Sequence, residues 1–249
     1  MTTTTTKPLA GALLCAALLA GCATGPQANP ADPFEGFNRS MYSFNDGLDK
    51  AVLKPVATGY KAVTPDPVRA GVGNFFSNLG DLWSSINNLL QLRGEAAFDS
   101  FVRFNVNTVF GIGGLFDVAS EARIQRHKTD FGLTLATWGV PSGPYLVLPV
   151  LGPSTVRDTA ALPVDWWGDP VTYVQDVPVR NSLYVLRVVD RRAQLLGAES
   201  VLESAALDKY SFTRDAYLQL RTPDAKPAAG GDGKLDDDAN DGRLPPEPD

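Results

Sequence analysis

Apolar positions recur at alternating intervals of three and four along most of this chain. Phe34, Phe37, Met41, Phe44 and Leu48 form the first series, and that period gathers them on one face of a helix. Asp32 before Pro33, with Glu35 three residues after it, predicts Asp32 as the N-cap of a helix that ends near Lys54, ahead of Pro55. A second start at Asp66-Pro67 leads into Val68, Val72, Phe75, Leu79, Leu82, Ile86 and Leu89, with Ser77 to Asp81 as its weak point. Further helical periods run from Glu95 to Phe110, Thr129 to Trp138, Val179 to Leu196 and Leu207 to Leu220. Tyr145 to Leu151 alone reads as extended, and Pro149 inside it argues against a central strand. The pattern predicts an all-α single domain with no internal repeat.

What those apolar faces meet is left with two answers. An amphipathic helix ordinarily turns its oily face into its own core. Alternatively the face lies in the interfacial plane of a membrane, a setting that suits Phe75-Phe76, Trp83 and Trp166-Trp167 as well as a core would. No segment after the first twenty-odd residues reaches the run of about eighteen apolar residues that a spanning helix needs.

Residues 1–21 carry one cation, Lys7, then an apolar stretch from Leu9 to Ala20, and read as an export signal too short to span a bilayer. Leu19-Ala20-Gly21-Cys22 resembles the bacterial lipobox, which would make Cys22 the first mature residue and its acyl attachment point. With Ala23 rather than Asp after it, the signal points to the outer membrane. Cys15 would leave with the signal, so no thiol pair remains for a disulfide. The domains expected are then a signal over 1–21, a lipidated linker over 22–31, a helical body over 32–221 and a tail over 222–249.

The net charge of −6 is carried mostly by that tail, whose eight acidic and three basic residues leave a balance of −5. Lacking aromatics and rich in Pro, Gly, Asp and Ala, the tail is expected to be disordered. The body over 22–221, with 18 basic and 20 acidic residues, has none of the cationic footprint of nucleic-acid binding.

Candidate chemistry is sparse. "FGIGGLFDVA" (110–119) has the glycines of a phosphate loop, yet no Lys or hydroxyl residue follows Gly111, Gly113 and Gly114. From the residues alone the stretch is a flexible turn between buried segments. The single histidine, His127, sits between Arg126 and Lys128, which disfavour the imidazolium a general base must become, and reads as part of a solvated basic turn. Arg123, Arg126 and Lys128 could instead attract an anionic head group. Asp236, Asp238, Asn240 and Glu247 have calcium-loop spacing, but Asp241 stands where glycine is required and Pro245, Pro246 and Pro248 disrupt the exit. Neither a catalytic residue, a metal site nor a cofactor is expected.

Four ordered blocks resemble the MlaA (VacJ) family of outer-membrane lipoproteins: "DPFEGFNRSMYSFN" (32–45), "RFNVNTVFGIGGLFDVA" (103–119), "DFGLTLATWGVPSGPYLVLPVLGPSTVRD" (130–158) and "LDKYSFTRDAYLQLR" (207–221). The resemblance implies a helical disc or ring seated on the periplasmic side of the outer membrane, with an amphipathic central channel. It implies three partners: phospholipid, a porin trimer and a soluble periplasmic lipid carrier. Misplaced phospholipid would leave the outer leaflet through the channel, preserving lipid asymmetry. By the same resemblance, Phe44 and Asn45 would sit at a gating site, and Gly111, Gly113 and Gly114 would shape a mobile apolar connection beside the channel. A Cys22-anchored lipid hydrolase and a purely structural porin-bracing lipoprotein are the alternatives.

Overall fold

The computed structural model describes residues 29–205 and 207–222. The expected signal, Cys22, the acidic tail and its calcium-loop spacing lie outside the described residues. Helix α1 spans Glu35–Leu48. Asp32 does not cap it: Phe34 takes the N-cap place with no side-chain bond, and Asp32 is buried. Nor does Pro55 end the first helical arm. A π-helical stretch, Asp49–Leu53, carries α1 into α2 (Lys54–Val63), seating Pro55 in the first turn of α2, where its missing N–H is tolerated.

Helix α3 (Asp66–Leu90) runs unbroken through Ser77 to Asp81. Its entry is fixed by the Arg69 guanidinium, which donates to the carbonyls of Lys61 and Thr64 at 2.8 and 2.7 Å and closes the α2–α3 corner. Helix α4 (Gly94–Val109) returns along α3, the most extensive helix pairing in the fold. A single turn, α5 (Val118–Glu121), and an extended stretch lead to α6 (Phe131–Thr137), which Asp130 caps by accepting from the Leu133 amide.

The extended segment proves to be half of a hairpin. β1 (Tyr145–Leu148) pairs antiparallel with β2 (Gly152–Thr155), Tyr145 opposite Thr155 and Leu148 opposite Gly152. Pro149 lies in the turn, where the absent N–H disturbs no ladder. Thr155 then caps α7 (Val156–Gly168), which continues through Pro163 and packs on α6. A 3₁₀ turn (Pro170–Tyr173), α8 (Val177–Ala205) and α9 (Lys209–Leu220) complete the described chain. Helix α8 rests on α2 and α3.

The packing reverses the usual arrangement. Eleven hydrophobic residues are buried against nineteen polar or charged ones among the described residues, and six of the eleven are alanines. The only buried hydrophobic cluster found among them is small, Tyr145, Val147 and Tyr210, with Met41, Tyr42, Tyr217 and Leu218 around it. Meanwhile Phe37, Phe44 and Leu48, predicted to share one apolar face of α1, are all exposed, and the residue α1 buries is Asn38. The periodicity is correct, but Phe37, Phe44 and Leu48 point outward while Met41 of the same series packs on the small core.

Candidate functional site

A polar seam runs along the inner face of α3. Asn78, Asp81, Ser84, Asn87, Asn88 and Gln91 recur at helical spacing and are all buried. Partners meet nearly every member. Asn78 donates to Thr108 Oγ1 at 2.9 Å, Ser84 to the Thr129 carbonyl at 3.2 Å and Asn88 to the His127 carbonyl at 2.9 Å. Asn87 accepts from Thr134 at 2.8 Å, and Gln91 donates to both Thr129 and Thr134. A buried polar group left unpaired costs about 1–3 kcal/mol, so this seam pins the extended stretch before α6 against α3.

Charge concentrates at Asp81. Arg103, 1% exposed, and Arg126 approach it at 3.4 and 3.2 Å, and Arg103 also donates to Asp117 at 2.9 Å. Burial pushes the Asp81 carboxyl up against the pull of Arg126 and Arg103. Asp117 goes the other way, because bonds from Ser120 and Asn107 and the charge of Arg103 outweigh its burial and hold it below the usual carboxylate range.

A second charged knot fixes the end of α9. Arg221 donates to Asp130 at 2.6 Å and to Asp158 at 2.9 Å, while Tyr217 also donates to Asp158 at 3.0 Å. Burial works against both charges, but their mutual bonds prevail, holding the Arg221 guanidinium above and the Asp158 carboxyl below their ordinary ranges.

The glycines of 110–119 are built into the first knot. Gly111 and Gly114 are buried, and a Cβ on Gly111 would stand 2.2 Å from the Phe116 carbonyl oxygen. A Cβ on Gly114, whose φ is +91°, would meet the Asn78 amide at 2.5 Å. Gly113, at φ +69°, faces open space. Backbone bonds from Gly113 to Thr108, Gly114 to Asn107 and Phe116 to Gly111 hold the turn, and Asp117 locks its exit on Arg103 and Asn107. The stretch expected to be a flexible or mobile connection is therefore a pinned turn. It presents Phe110, Ile112, Leu115 and Phe116 outward beside Phe98, Phe101 and Val109 of α4.

Phe44 and Asn45 part company. Phe44 is half exposed on the outer face of α1. Asn45 donates to the Leu148 carbonyl at 2.9 Å and accepts from the Val150 amide at 2.8 Å, grasping the tip of the hairpin. Asn38, two turns earlier on α1, does the same for β1, donating to Tyr145 and accepting from Val147. The asparagine pair thus stitches the hairpin edge to α1. Asn38, Asp81 and Arg103 were missed as site residues because polar residues on a helix read as its wet face. His127, expected in a solvated turn, is half-buried, with Nε2 2.9 Å from Asp99 Oδ2.

Around this interior the apolar exterior is too large for water. Leaving a Phe or Leu side chain half in water forgoes about 1 kcal/mol, and the seven side chains from Phe98 to Phe116 named above would together forgo an amount comparable to the 5–15 kcal/mol that holds a domain folded, as orders of magnitude. Exposed patches of that kind mark a partner or a membrane. No described helix is long and apolar enough to cross a bilayer. The fold is that of a helical protein turned inside out, polar within and oily without, whose outer faces call for a membrane or a partner.

The comparisons agree in kind. The family model for the MlaA lipoprotein matches residues 30–224. The intermembrane phospholipid transport system lipoprotein MlaA of Escherichia coli is 38% identical over 208 residues, 81% of this chain and 82% of that protein. The protein of the same name from Haemophilus influenzae is 35% identical over 240 residues, 89% of this chain and 92% of its own. A solved chain, from work on the structural basis for maintenance of bacterial outer membrane lipid asymmetry, superposes with a TM-score of 0.68 at 36% identity, covering 76% of this chain and 96% of that one. The chain belongs to the MlaA lipoprotein family.

Proposed function

We propose that this protein removes misplaced phospholipid from the outer leaflet of the outer membrane and passes it, through a polar passage along its interior, to a soluble periplasmic carrier. One observation carries the reading: charged and amide side chains fill the inside while large apolar side chains cover the outside. A phospholipid crossing a bilayer must take a charged head group through hydrocarbon, which is expensive without polar partners. Arg126, partly exposed at the edge of the buried knot it forms with Asp81 and Arg103, supplies such a partner, and the outer faces of α1, α3 and α4 offer apolar surface to lipid. The names of its relatives support the same transport role.

Cys22 would carry the acyl anchor on the periplasmic side of the outer membrane, beside a porin trimer. Passage breaks no bond, so the reading needs no catalytic residue. Asn45 would gate the passage by holding or releasing the hairpin tip, with Phe44 in lipid beside it. The Gly111–Gly114 turn, packed on Asn78, would wall the passage beside α3.

A deletion strain, complemented with the wild-type chain or with Cys22→Ala, tests this. Labelling of surface phospholipid amines with an impermeant reagent is expected to rise on deletion, return to baseline with the wild type and stay raised with Cys22→Ala. Unchanged labelling on deletion would overturn the proposal, and release of fatty acid by the purified protein would favour a hydrolase.

A further inference from the structure

Where α8 rests on α2 and α3, close to the corner that joins them, the three helices leave an open cavity of about 280 Å³. Lys61 near the end of α2, Asp66 and Arg69 at the start of α3, and Asp190 and Gln194 of α8 line it, together with two alanines. Small-ligand sites typically measure about 300–1,000 Å³, so this one suits a head group rather than a whole lipid.

The charges around the cavity have a definite order. Arg69 is committed to the corner itself: Nη1 donates to the Lys61 and Thr64 carbonyls and Nη2 to the Asp66 carboxylate. Arg69 and Asp66 therefore answer each other, and Asp190 and Lys61 remain. Asp190, 3% exposed, accepts from the Tyr60 hydroxyl at 3.1 Å through Oδ1 and from the Gln194 amide at 2.8 Å through Oδ2, both neutral donors. No cation pairs with it among the described residues. Lys61 is exposed and likewise forms no ion pair among the described residues. The cavity thus offers a carboxylate at its floor and an ammonium at its rim.

A carboxylate nearly sealed from water and met only by neutral donors is costly to ionise. Burial pushes the Asp190 carboxyl up, against the bonds of Tyr60 and Gln194 and the pull of Arg69. A cation entering the cavity would relieve that cost. The floor is also held in place. Gly73 of α3 stands against it, where a Cβ would lie 2.8 Å from Gln194 Nε2 and 3.5 Å from Asp190 Oδ2. Two residues beyond Asp190, Arg192 clasps Asp49 of the π-turn by bonds of 2.7 and 2.8 Å and fixes the register of α8.

The geometry points to this cavity as a site for the head group of an amine-bearing phospholipid, its primary ammonium on Asp190 and its phosphate at Lys61. The assignment rests on the transport reading above and adds the head-group chemistry to it. A primary ammonium brings three N–H donors, and each Asp190 oxygen keeps acceptor capacity beyond the bond it already takes. A choline head group carries the same charges but no N–H, and a glycerol head group leaves Asp190 without a cation.

The test uses the full lipidated chain in non-ionic detergent, equilibrated with equal amounts of phosphatidylethanolamine, phosphatidylcholine and phosphatidylglycerol. Lipid retained after gel filtration is counted by mass spectrometry. The wild type is expected to enrich the ethanolamine lipid about tenfold over each of the others, the contribution of one charge-assisted bond. Asp190→Asn is expected to abolish that preference. Lys61→Ala is expected to lower retention of the ethanolamine lipid about threefold, as for an exposed ion pair, with its preference over choline intact. Circular dichroism melting shows whether Asp190→Asn folds; where it does not, the wild-type preference and Lys61→Ala decide. Equal retention of ethanolamine and choline lipids by the wild type, or a preference that survives in folded Asp190→Asn, overturns the assignment while the transport reading stands. A wild-type chain that retains no phospholipid overturns both. Calorimetric binding of free ethanolamine phosphate that needs Asp190, in a chain without lipid preference, makes the ligand a soluble one and overturns the lipid assignment.

Discussion

Asn45→Ala separates a latch from a packing residue. The amide makes two bonds to the hairpin tip, one donated to Leu148 and one accepted from Val150. Val150 is itself exposed and left-handed, at φ 66°, so little besides Asn45 restrains it. A net hydrogen bond contributes about 0.5–1.5 kcal/mol. Two in a partly wet setting give about 1–2 kcal/mol, which corresponds to a five- to thirtyfold rise in the open population, as an estimate. Hydrogen exchange of the purified lipoprotein in nanodiscs reads this directly. Amides over 146–152 are expected to lose about that factor of protection, with those of α3 unaffected. Asn45→Asp, which keeps the acceptor for Val150 but sets a carboxylate against the Leu148 carbonyl, should fall between. Unchanged protection at the tip in Asn45→Ala would refute the latch, and loss of protection throughout the fold would make Asn45 a general structural residue.

The geometry sets three further outcomes. Gly114→Ala combines left-handed strain of about 1–2 kcal/mol with overpacking of about 1–3 kcal/mol against Asn78, whereas Gly113→Ala suffers the strain alone. Melting in detergent should drop by about 10 °C for the first and only a few degrees for the second, and equal shifts would contradict the pinned turn. Asp158 has a folded pKa below its unfolded value of about 3.9, so its contribution is full above that value and lost as pH falls through the folded one. Melting temperature should hold from about pH 7 to 5 and fall below about 4; Asp158→Asn should melt lower at neutral pH and show a shallower acid fall, and an unaltered acid limb would remove Asp158 from it. Phe110→Ser with Phe116→Ser, made in an unlipidated Cys22→Ala chain, should weaken liposome association by about five- to thirtyfold per residue, with melting in detergent little changed; undiminished flotation would mean that this face does not meet lipid.

Helix existence was legible in the chain, because a period of three and four survives whichever side the helix turns to the solvent. The direction of burial was not. Phe37, Phe44 and Leu48 would make the same pattern facing a core or facing away from one, and only the partners of Asn38 decide between them. Boundaries failed where tertiary bonds override local signals: Asp32 looks like a cap but accepts from Asn38, Tyr210 and Arg214, and Pro55 looks like a stop but sits just past a π-turn that accommodates it. β2 and α7 leave little trace in the pattern, because Gly152-Pro153-Ser154-Thr155 has no apolar alternation and Pro163 interrupts the helical period of residues 156–168. Of the site, the glycine stretch was visible as something special, but what holds it depends on Asn78, some thirty residues away on α3, and on Arg103 and Asn107, which are near in sequence but read as the wet face of α4.

The wet interior bears on how such a molecule comes to be folded at all. Ordinary collapse draws oily groups together and leaves amides and guanidiniums at the rim, which for a newly made chain of this composition would yield the reverse of the native arrangement. On the lipid-facing reading proposed above, the native state would gain its advantage once acyl chains replace water around Phe98, Phe101, Phe110 and Phe116, which are exposed. Folding to completion would then wait on delivery to the bilayer, and an escort that keeps those aromatics covered in transit becomes as much a requirement of the sequence as any contact within it.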